Sequence, residues 1–224
     1  MTDKAVFSDI RPEAYPLFQG IRREEQEKMF ACLQVVRRNY PKGSFVILDE
    51  DDVPHVCMIL QGSVHMLKED VAGMQTLLIT MYRGELFGET YALSKQVAHV
   101  SFQAAEDSEI LLLPLEKALY TCERTCPFHQ TLVRNCFRMI TDKNRRLIEK
   151  LEILSRDTLR GKILCFLQQQ AASQGTDAVR IALSRTGMAA YLNSNRSALS
   201  RELSRMQKEG ILRIEGEIFH ICRD

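Results

Sequence analysis

Between Pro127 and Gly161 the sequence contains neither glycine nor proline, and this uninterrupted stretch predicts one long helix. Proline is tolerated in the first turn of a helix, so Pro127 suits its start. Along the stretch, seven residues follow one another at alternating steps of four and three, and all but Asn144 are apolar. They are Val133, Phe137, Ile140, Asn144, Leu147, Leu151 and Leu154. This series, here called the seam, has the heptad spacing of a helix that packs against a partner helix. It favours a parallel homodimer joined along this helix.

The one polar member of the seam, Asn144, strengthens that interpretation. A lone polar residue at such a position costs stability but fixes the register and the oligomeric state of paired helices. The alternative is a single amphipathic helix that lies against the rest of the chain, because the same spacing serves any surface helix. The dimer is the interpretation that we favour.

The residues before this helix have the composition of short strands separated by turns. From Tyr40 to about Leu115, apolar and β-branched runs such as "VCMIL", "SVHML" and "TLLITMY" alternate with glycines at turn-like spacing. The pattern predicts a double-stranded, jelly-roll-like β roll. An amphipathic helix is predicted just before it, in "REEQEKMFACLQVV". The fold class is therefore α+β.

The residues after the long helix predict a winged helix-turn-helix. Short helical patterns appear in "TLRGKILCFLQQQAA", "RTGMAAYL" and "RSALSRELSRMQKEG", and "ILRIEGEIFHIC" then alternates around Gly216 as a β-hairpin does. The second and third helices are joined by "NSN", in which Asn193 or Ser194 suits the tight turn. Asn195 suits the cap of the next helix and is also a candidate DNA-binding residue. We therefore predict a β-roll domain at 1–126, a dimerisation helix at 127–155 and a winged helix-turn-helix at 156–224.

Two arginines and two serines of "RSALSR" fall on one exposed side of the last helix, namely Arg196, Ser197, Ser200 and Arg201. The first turn of a recognition helix enters the major groove, where a guanidinium matches the O6 and N7 acceptors of guanine. The pattern therefore predicts sequence-specific DNA binding, and a solvated basic helix is the alternative. Other cations of this region suit either contacts with the DNA backbone or plain solvent exposure, namely Arg185, Arg205, Lys208 and Arg213.

Charge and composition agree with this division of labour. Residues 156–224 contain 11 Lys and Arg against 7 Asp and Glu, whereas residues 1–155 contain 19 against 22. The longest apolar runs are far shorter than the roughly 18 residues of a membrane span, and the N-terminus has no apolar signal region, so we expect a cytoplasmic protein. The sequence contains no nucleophile–base pair and no Walker loop, which argues against an enzyme.

Two motifs stand out: "GELFGE" at Gly84–Glu89 in the predicted roll, and "NRSALSRELSRMQKEGIL" at Asn195–Leu212 in the predicted winged helix-turn-helix. The predicted long helix lies between them. From about residue 14 to residue 222 the chain resembles the CRP/FNR family of bacterial transcription regulators. The resemblance implies a homodimer bound to a near-palindromic double-stranded DNA operator, with contacts to RNA polymerase. It also implies that Arg196 and Arg201 read bases and that Ser200 matches a serine of the FNR branch. Ser197 replaces the glutamate usual in the family, so the usual half-site does not follow.

In the cyclic-nucleotide binders of this family, the "GELFGE" cassette supplies backbone amides and a glutamate, and a later Arg-Ser pair meets the phosphate. Ala98 and His99 stand at the position of that pair, and a buried anion without a cation is costly, so cyclic AMP is disfavoured. A small, largely apolar or aromatic effector of unknown identity fits better. Glu89 serves either this effector or the fold alone, as a carboxylate that caps backbone amides. The candidate effector residues are Gly88, Glu89, Thr90, Ala98, His99, Leu147 and Ile148.

Metal and redox roles have little support in the sequence. The family's oxygen sensors have an N-terminal cysteine cluster, which the first 31 residues of this chain lack, so neither an Fe–S cluster nor another metal is expected. Cys122 and Cys126, with Cys136 nearby, form either a redox pair or part of a metal site, or they are ordinary buried thiols, which is the interpretation that we favour. A rival interpretation of the whole chain is a regulatory cyclic-nucleotide-binding subunit that acts through protein contacts.

Overall fold

The computed structural model describes residues 10–120 and 127–222 of the chain. The chain divides into two compact units, Met1–Ile140 and Thr141–Asp224, each with hydrophobic core clusters of its own. The boundary falls inside the long helix α4, Pro127–Leu154. The helix that the sequence sets apart as a dimerisation segment therefore contributes residues to both units.

The first unit contains two antiparallel sheets of four strands. The first sheet has the order β1 (Val36–Tyr40), β8 (Ser108–Leu113), β3 (Val56–Gln61) and β6 (Leu86–Phe87). The second has the order β2 (Phe45–Ile47), β7 (Ser101–Ala104), β4 (Ser63–Glu69) and β5 (Gln75–Tyr82). Apart from the consecutive β4 and β5, strands that are neighbours in space are distant in the chain, as in a jelly roll, so the predicted fold class is confirmed.

Strand β3 shows why this region has the pattern of short apolar runs. Cys57 and Ile59 belong to the core between the two sheets, whereas Val56, Met58 and Leu60 belong to a second core on the other face of the first sheet. Because a strand that is buried on both faces has no polar side to present, its sequence is apolar throughout.

Helices and turns cover that second core. They are two 3-10 turns (Pro12–Ala14 and Pro16–Phe18), α1 (Arg23–Leu33), α3 (Leu115–Tyr120) and the beginning of α4; the short α2 (Glu89–Ser94) follows β6. The prediction that α1 runs on through "QVV" is wrong. Gln34 takes a left-handed conformation, with φ 57°, and the β-branched Val36 begins β1.

A buried amide anchors α4 in the first unit. Asn135 is 4% exposed, and its Nδ2 donates to the carbonyl oxygens of Leu17 at 3.0 Å and Gln19 at 2.7 Å. The helix ends at Leu154, before Gly161, because Thr158 starts a new helix by accepting a hydrogen bond from the Gly161 N–H at 3.0 Å.

The second unit is a winged helix-turn-helix. Its elements are α5 (Leu159–Gln174), β9 (Ala178–Arg180), α6 (Arg185–Tyr191), α7 (Arg196–Lys208), β10 (Leu212–Glu215) and β11 (Ile218–Ile221). The predicted hairpin is β10–β11, and β9 adds a third strand that sequence reasoning missed, since "AVR" is too short to show a pattern. Of the helices in the two described ranges, none is long and apolar enough to cross a bilayer.

The last turns of α4 are bound into this second unit. Ile153 is fully buried in its core. The ammonium group of Lys150 donates to the carbonyl oxygen of Tyr191 and lies 3.6 Å from the centre of that tyrosine ring. Burial lowers the pKa of Lys150. The end of α4 and the end of α6 are thereby held together.

Candidate functional site

The start of α7 is built by polar caps and a tight turn. Asn195 precedes the helix and its Oδ1 accepts a hydrogen bond from the Ala198 N–H at 2.8 Å. Asn193, with φ 49°, supplies the left-handed residue of the turn that joins α6 to α7. At the start of α6, Ser184 accepts a hydrogen bond from the Gly187 N–H at 3.0 Å. These caps fix the point at which α7 begins.

One side of α7 is buried and the opposite side is polar. Leu199, Leu203 and Met206 lie in the core of the second unit. Five of the six side chains predicted to contact DNA are exposed, namely Asn195, Arg196, Ser197, Ser200 and Arg201, and Arg185 is half-buried. Ala198 is half-buried. Within the described part of the chain, Arg196 and Arg201 form no ion pair, so two guanidinium groups face solvent from one short helix.

Other cations of the second unit are engaged in local contacts. The guanidinium of the half-buried Arg185 lies 4.8 Å from the centre of the Phe219 ring, and burial lowers its pKa. Arg205 pairs with Glu209 at 2.9 Å and Arg213 pairs with Glu215 at 3.2 Å. Arg185 thus packs on the wing strand β11, a role that no local sequence pattern predicts.

The cassette of the first unit turns sharply into α2. Gly88 has φ 74°, and a Cβ atom there would lie 3.1 Å from Ile47 Cδ1, so glycine suits both the backbone and the space. Glu89 follows and is 6% exposed, whereas Thr90 is exposed. Burial, together with the charge of Glu89, raises the pKa of the Cys57 thiol. The same two causes raise the pKa of the Cys136 thiol to about 12. The Glu89 carboxylate therefore lies close to the interior of the unit.

After α2, the position expected to meet an anion is occupied by a small core residue. Ala98 is fully buried and its backbone bonds to Asp51 and Glu50, at 2.9 and 2.8 Å. His99 is exposed, with its ring edge-on to Tyr91. Of these two residues, only His99 has a side chain that faces solvent.

Two lysines approach this region, and both are paired with carboxylates. Lys68 of β4 donates to the His99 carbonyl oxygen at 2.7 Å and pairs with Asp49 at 3.1 Å. Lys95, at the end of α2, pairs with Glu116 at 2.7 Å. Sequence reasoning missed Lys68, since only the pairing of β4 with β7 brings it to His99.

An apolar cleft lies elsewhere in the first unit. It has a volume of about 170 Å³ and is lined by side chains of α2, α3 and α4, including the seam residues Val133, Phe137 and Ile140. None of the candidate effector residues lines it. The cleft is therefore separate from the predicted effector residues.

The seam residues along α4 are largely solvent-exposed. Phe137 is 68% exposed, Leu147 is 50% exposed and Leu151 is 65% exposed. Asn144 is exposed as well. Ile148, the neighbour of Leu147, is also exposed, and both belong to the second unit while the cassette belongs to the first. A row of exposed large apolar side chains on one helix is typical of a surface that pairs with a partner.

Of the three cysteines considered for a redox or metal role, only Cys136 lies among the described residues. Cys122 and Cys126 lie outside the described residues. Among the described cysteines, Cys57, Cys136 and Cys165 are buried free thiols, while Cys32 and Cys222 are exposed. In the ranges 10–120 and 127–222, no group of three or more His, Cys, Asp and Glu side chains is placed to hold a metal ion.

Comparison with known proteins matches both units. Residues 37–125 match the model of the cyclic nucleotide-binding domain, and residues 161–223 match the Crp-like helix-turn-helix domain. The "Cyclic AMP receptor protein" of Thermus thermophilus is 26% identical over 199 residues, which span 89% of this chain and 88% of that protein. The chain belongs to the CRP/FNR family of transcription regulators.

Other CRP/FNR relatives agree with this. The "Transcriptional activator protein anr" of Pseudomonas aeruginosa is 26% identical over 202 residues, which span 87% of this chain and 81% of that protein. The crystal structure of the Thermus thermophilus catabolite activator protein has a TM-score of 0.52 at 24% identity and spans 92% of this chain and 93% of its own. These CRP/FNR relatives are transcription regulators, and the structural likeness shows the same fold.

Proposed function

We propose that this chain is a homodimeric, effector-responsive regulator that reads a near-palindromic DNA operator with Arg196 and Arg201 of α7. The observation that supports this most is the exposure of both guanidinium groups on one helix, with no ion pair to another described residue. A guanidinium that is free of carboxylates can form the paired hydrogen bonds that guanine offers in the major groove. Ser197 and Ser200 flank the arginines and suit contacts with bases or phosphates.

The homodimer is supported by the exposed seam of α4. Phe137, Leu147 and Leu151 are each at least half exposed in the single chain, and burying them against a second α4 would remove this apolar surface from water. A dimer also places two copies of α7 on one duplex, which explains why the operator would be near-palindromic.

The effector is proposed to be a small, largely apolar or aromatic molecule, and not a cyclic nucleotide. A cyclic phosphate needs a cation, but Ala98 is buried and has no charge to offer, while Lys68 and Lys95 already pair with Asp49 and Glu116. The residues present at the cassette therefore do not fit a cyclic nucleotide. We further propose cytoplasmic function and contact with RNA polymerase, on the family resemblance.

A binding experiment tests the proposal directly. Duplexes that the full-length protein retains are selected from a random-sequence library, and binding is measured by fluorescence anisotropy between about 50 and 200 mM salt. We expect selected duplexes to contain inverted repeats and affinity to fall steeply with salt. Arg196→Ala is expected to weaken binding by about tenfold to a hundredfold per half-site, because it removes the paired hydrogen bonds to guanine.

The control is Arg156→Ala, because Arg156 is a half-exposed cation that pairs with Glu152 at 2.9 Å and lies outside α7. It should bind selected duplexes as the wild type does. If no duplex is enriched and affinity does not respond to salt, the rival function, a regulatory subunit that acts through protein contacts, is favoured instead.

A further inference from the structure

Glu202 of α7 and Glu209, the C-cap residue that follows it, are both bonded to one side chain of another helix. Arg160, in the first turn of α5, donates from Nε to Glu202 Oε1 at 2.7 Å and from Nη1 to Glu209 Oε2 at 2.6 Å. The Arg160 side chain is 30% exposed, and those of Glu202 and Glu209 are 20% and 36% exposed. Hydrogen bonds to Arg160 are the main cause that lowers the pKa of Glu209. The contact is therefore a partly buried, two-armed ion pair.

This arrangement separates the charges of α7 by position. Glu209 also accepts a hydrogen bond from Arg205 at 2.9 Å, so that its carboxylate lies between two guanidinium groups. In the described ranges, by contrast, Arg196, Arg201 and Lys208 form no ion pair. The acidic groups are held at the flank that meets α5, and the cations Arg196 and Arg201 are left on the solvent side.

The geometry of the contact constrains the rotation of α7. Glu202 and Glu209 are seven residues apart, so about two helical turns separate them and both lie on the same flank. The guanidinium group is planar and its N–H donors have fixed directions. Because it donates to two carboxylates on one flank of the helix, it opposes rotation of α7 about its axis. Arg160 is itself held, because the Thr158 cap fixes the start of α5 through the Gly161 N–H at 3.0 Å.

We propose that Arg160 is a positioning residue for base recognition, whose two-armed contact with Glu202 and Glu209 fixes the direction in which Arg196 and Arg201 leave α7. The inference rests on the proposed function of α7 as the DNA reader. Arg160 does not touch bases in this account; it acts through the orientation of the helix. A lysine would keep the charge but cannot hold both carboxylates in fixed directions.

The test uses the full-length protein and two duplexes, one selected from a random-sequence library by the wild type and one with the same composition scrambled. Arg160→Lys is expected to weaken binding to the selected duplex by about tenfold, as expected when a base contact is misdirected. Binding to the scrambled duplex, which depends on overall charge, should change by less than about threefold. Arg156→Lys is the matched control and should leave both affinities unchanged.

A double-mutant cycle separates positioning from a general structural role. If Arg160 acts by directing Arg196 and Arg201, most of the effect of Arg160→Lys should disappear when Arg196→Ala and Arg201→Ala are both present. Independent, additive losses of affinity in the cycle would overturn the proposal. Glu202→Ala, which removes one arm and leaves Arg160 in place, should give an intermediate loss on the selected duplex, and an unchanged affinity would also overturn it.

The remaining alternative is that Arg160 only neutralises the charges of Glu202 and Glu209. A triple variant tests this alternative. In Arg160→Ala combined with Glu202→Gln and Glu209→Gln, no uncompensated carboxylate is left, so full recovery of the wild-type affinity would show that only charge matters and would overturn positioning. Persistent loss supports it. A wild-type protein that selects no duplex contradicts the proposed function itself, whereas a selective wild type with Arg160 variants that match it contradicts only this inference.

Discussion

The solvent face of α7 and the cassette before α2 are both places where a family member could meet an anion, and they differ in what they offer it. At α7 the guanidinium groups of Arg196 and Arg201 are exposed and free of ion pairs within the described residues. At the cassette, the turn at Gly88 and the buried Glu89 are present, but the following position is the buried Ala98. The comparison teaches that a family's backbone can persist while the chemistry of one of its sites changes.

The physical reason lies in the cost of a charge without a partner. An anion near the cassette would find Lys68 and Lys95 already paired with carboxylates, so it would lose hydration without gaining a free cation. DNA at α7 would meet the opposite situation, because Arg196 and Arg201 are donors that face water. Substitutions and added ligands test what is claimed for each of the two regions.

The largest effect is expected from breaking the proposed dimer, in which two α7 helices would meet one duplex. Leu151→Asp puts a charge in the exposed seam, where the native side chain is 65% exposed. We expect a monomer by light scattering, and loss of selected-duplex affinity by more than about a hundredfold, because two linked binding events become one. Leu183→Asp, at a leucine that is 45% exposed and outside α4, is the control. A dimer that still binds would contradict the role of the seam.

A smaller effect is expected from changing what α7 reads. Ser197→Glu places a carboxylate in the first turn, where it can accept a hydrogen bond from the N4 amino group of cytosine. Repeating the duplex selection should reveal a new preferred base pair, with discrimination of about 1–3 kcal/mol. Ser204→Glu, at another exposed serine of α7, should weaken binding without altering base preference. An unchanged preference in Ser197→Glu would place that side chain away from the bases.

Acidification should weaken the unit that contains the cassette. His129, in the first turn of α4, is 3% exposed, and burial lowers its pKa. The unfolded chain then binds a proton more readily than the folded one, so this contribution is present above the ordinary histidine pKa of about 6.5 and is lost as pH falls through the lower folded value. We expect a loss of at most about 1 kcal/mol between pH 7.5 and 5.5.

The pH effect is checked by denaturant unfolding of the wild type and of His129→Phe, which should have a flatter pH dependence over this range. Half-buried His55, whose pKa is lowered mainly by burial, remains in both proteins and cancels in the comparison. His99→Phe is the control at an exposed histidine. Identical pH slopes for the wild type and His129→Phe would assign the effect to other groups.

The smallest expected effect is that of cyclic AMP, which should be none. A ligand at a hundred times its dissociation constant adds about 2.7 kcal/mol of stability and raises the melting temperature measurably. Millimolar cyclic AMP should leave the melting temperature of this protein unchanged, whereas the selected duplex should raise it. A saturable increase of the melting temperature with cyclic AMP would show that a cation of the protein does pair with the cyclic phosphate.

The sequence predicted those features that depend on local pattern. The Asn195 cap, the turn at Asn193 and the end of α7 follow from residue types at fixed spacing, and β3 follows from its apolar run. The missed features depend on which elements become neighbours. Lys68 meets His99 only through strand pairing, and the buried polar residue of α4 that binds backbone is Asn135. Nothing in the linear sequence separates Asn135 from the other polar residues of its helix.

The contact of Arg160 with α7 belongs to the same class. Arg160 and Glu209 are 49 residues apart in the chain, and no local periodicity relates them. The packing of α5 and α7 in one core creates the contact. Long-range ion pairs of this kind require the fold before they can be recognised.

The central claim, that the exposed arginines of α7 read bases, is tested most directly by crossing protein and DNA changes. The affinities of the wild type and Arg196→Ala are measured for the selected duplex and for duplexes in which one base pair is replaced symmetrically in both half-sites. We predict one position at which the wild type discriminates by about 1–3 kcal/mol per half-site and Arg196→Ala does not. Equal discrimination by both proteins at every position would contradict the account.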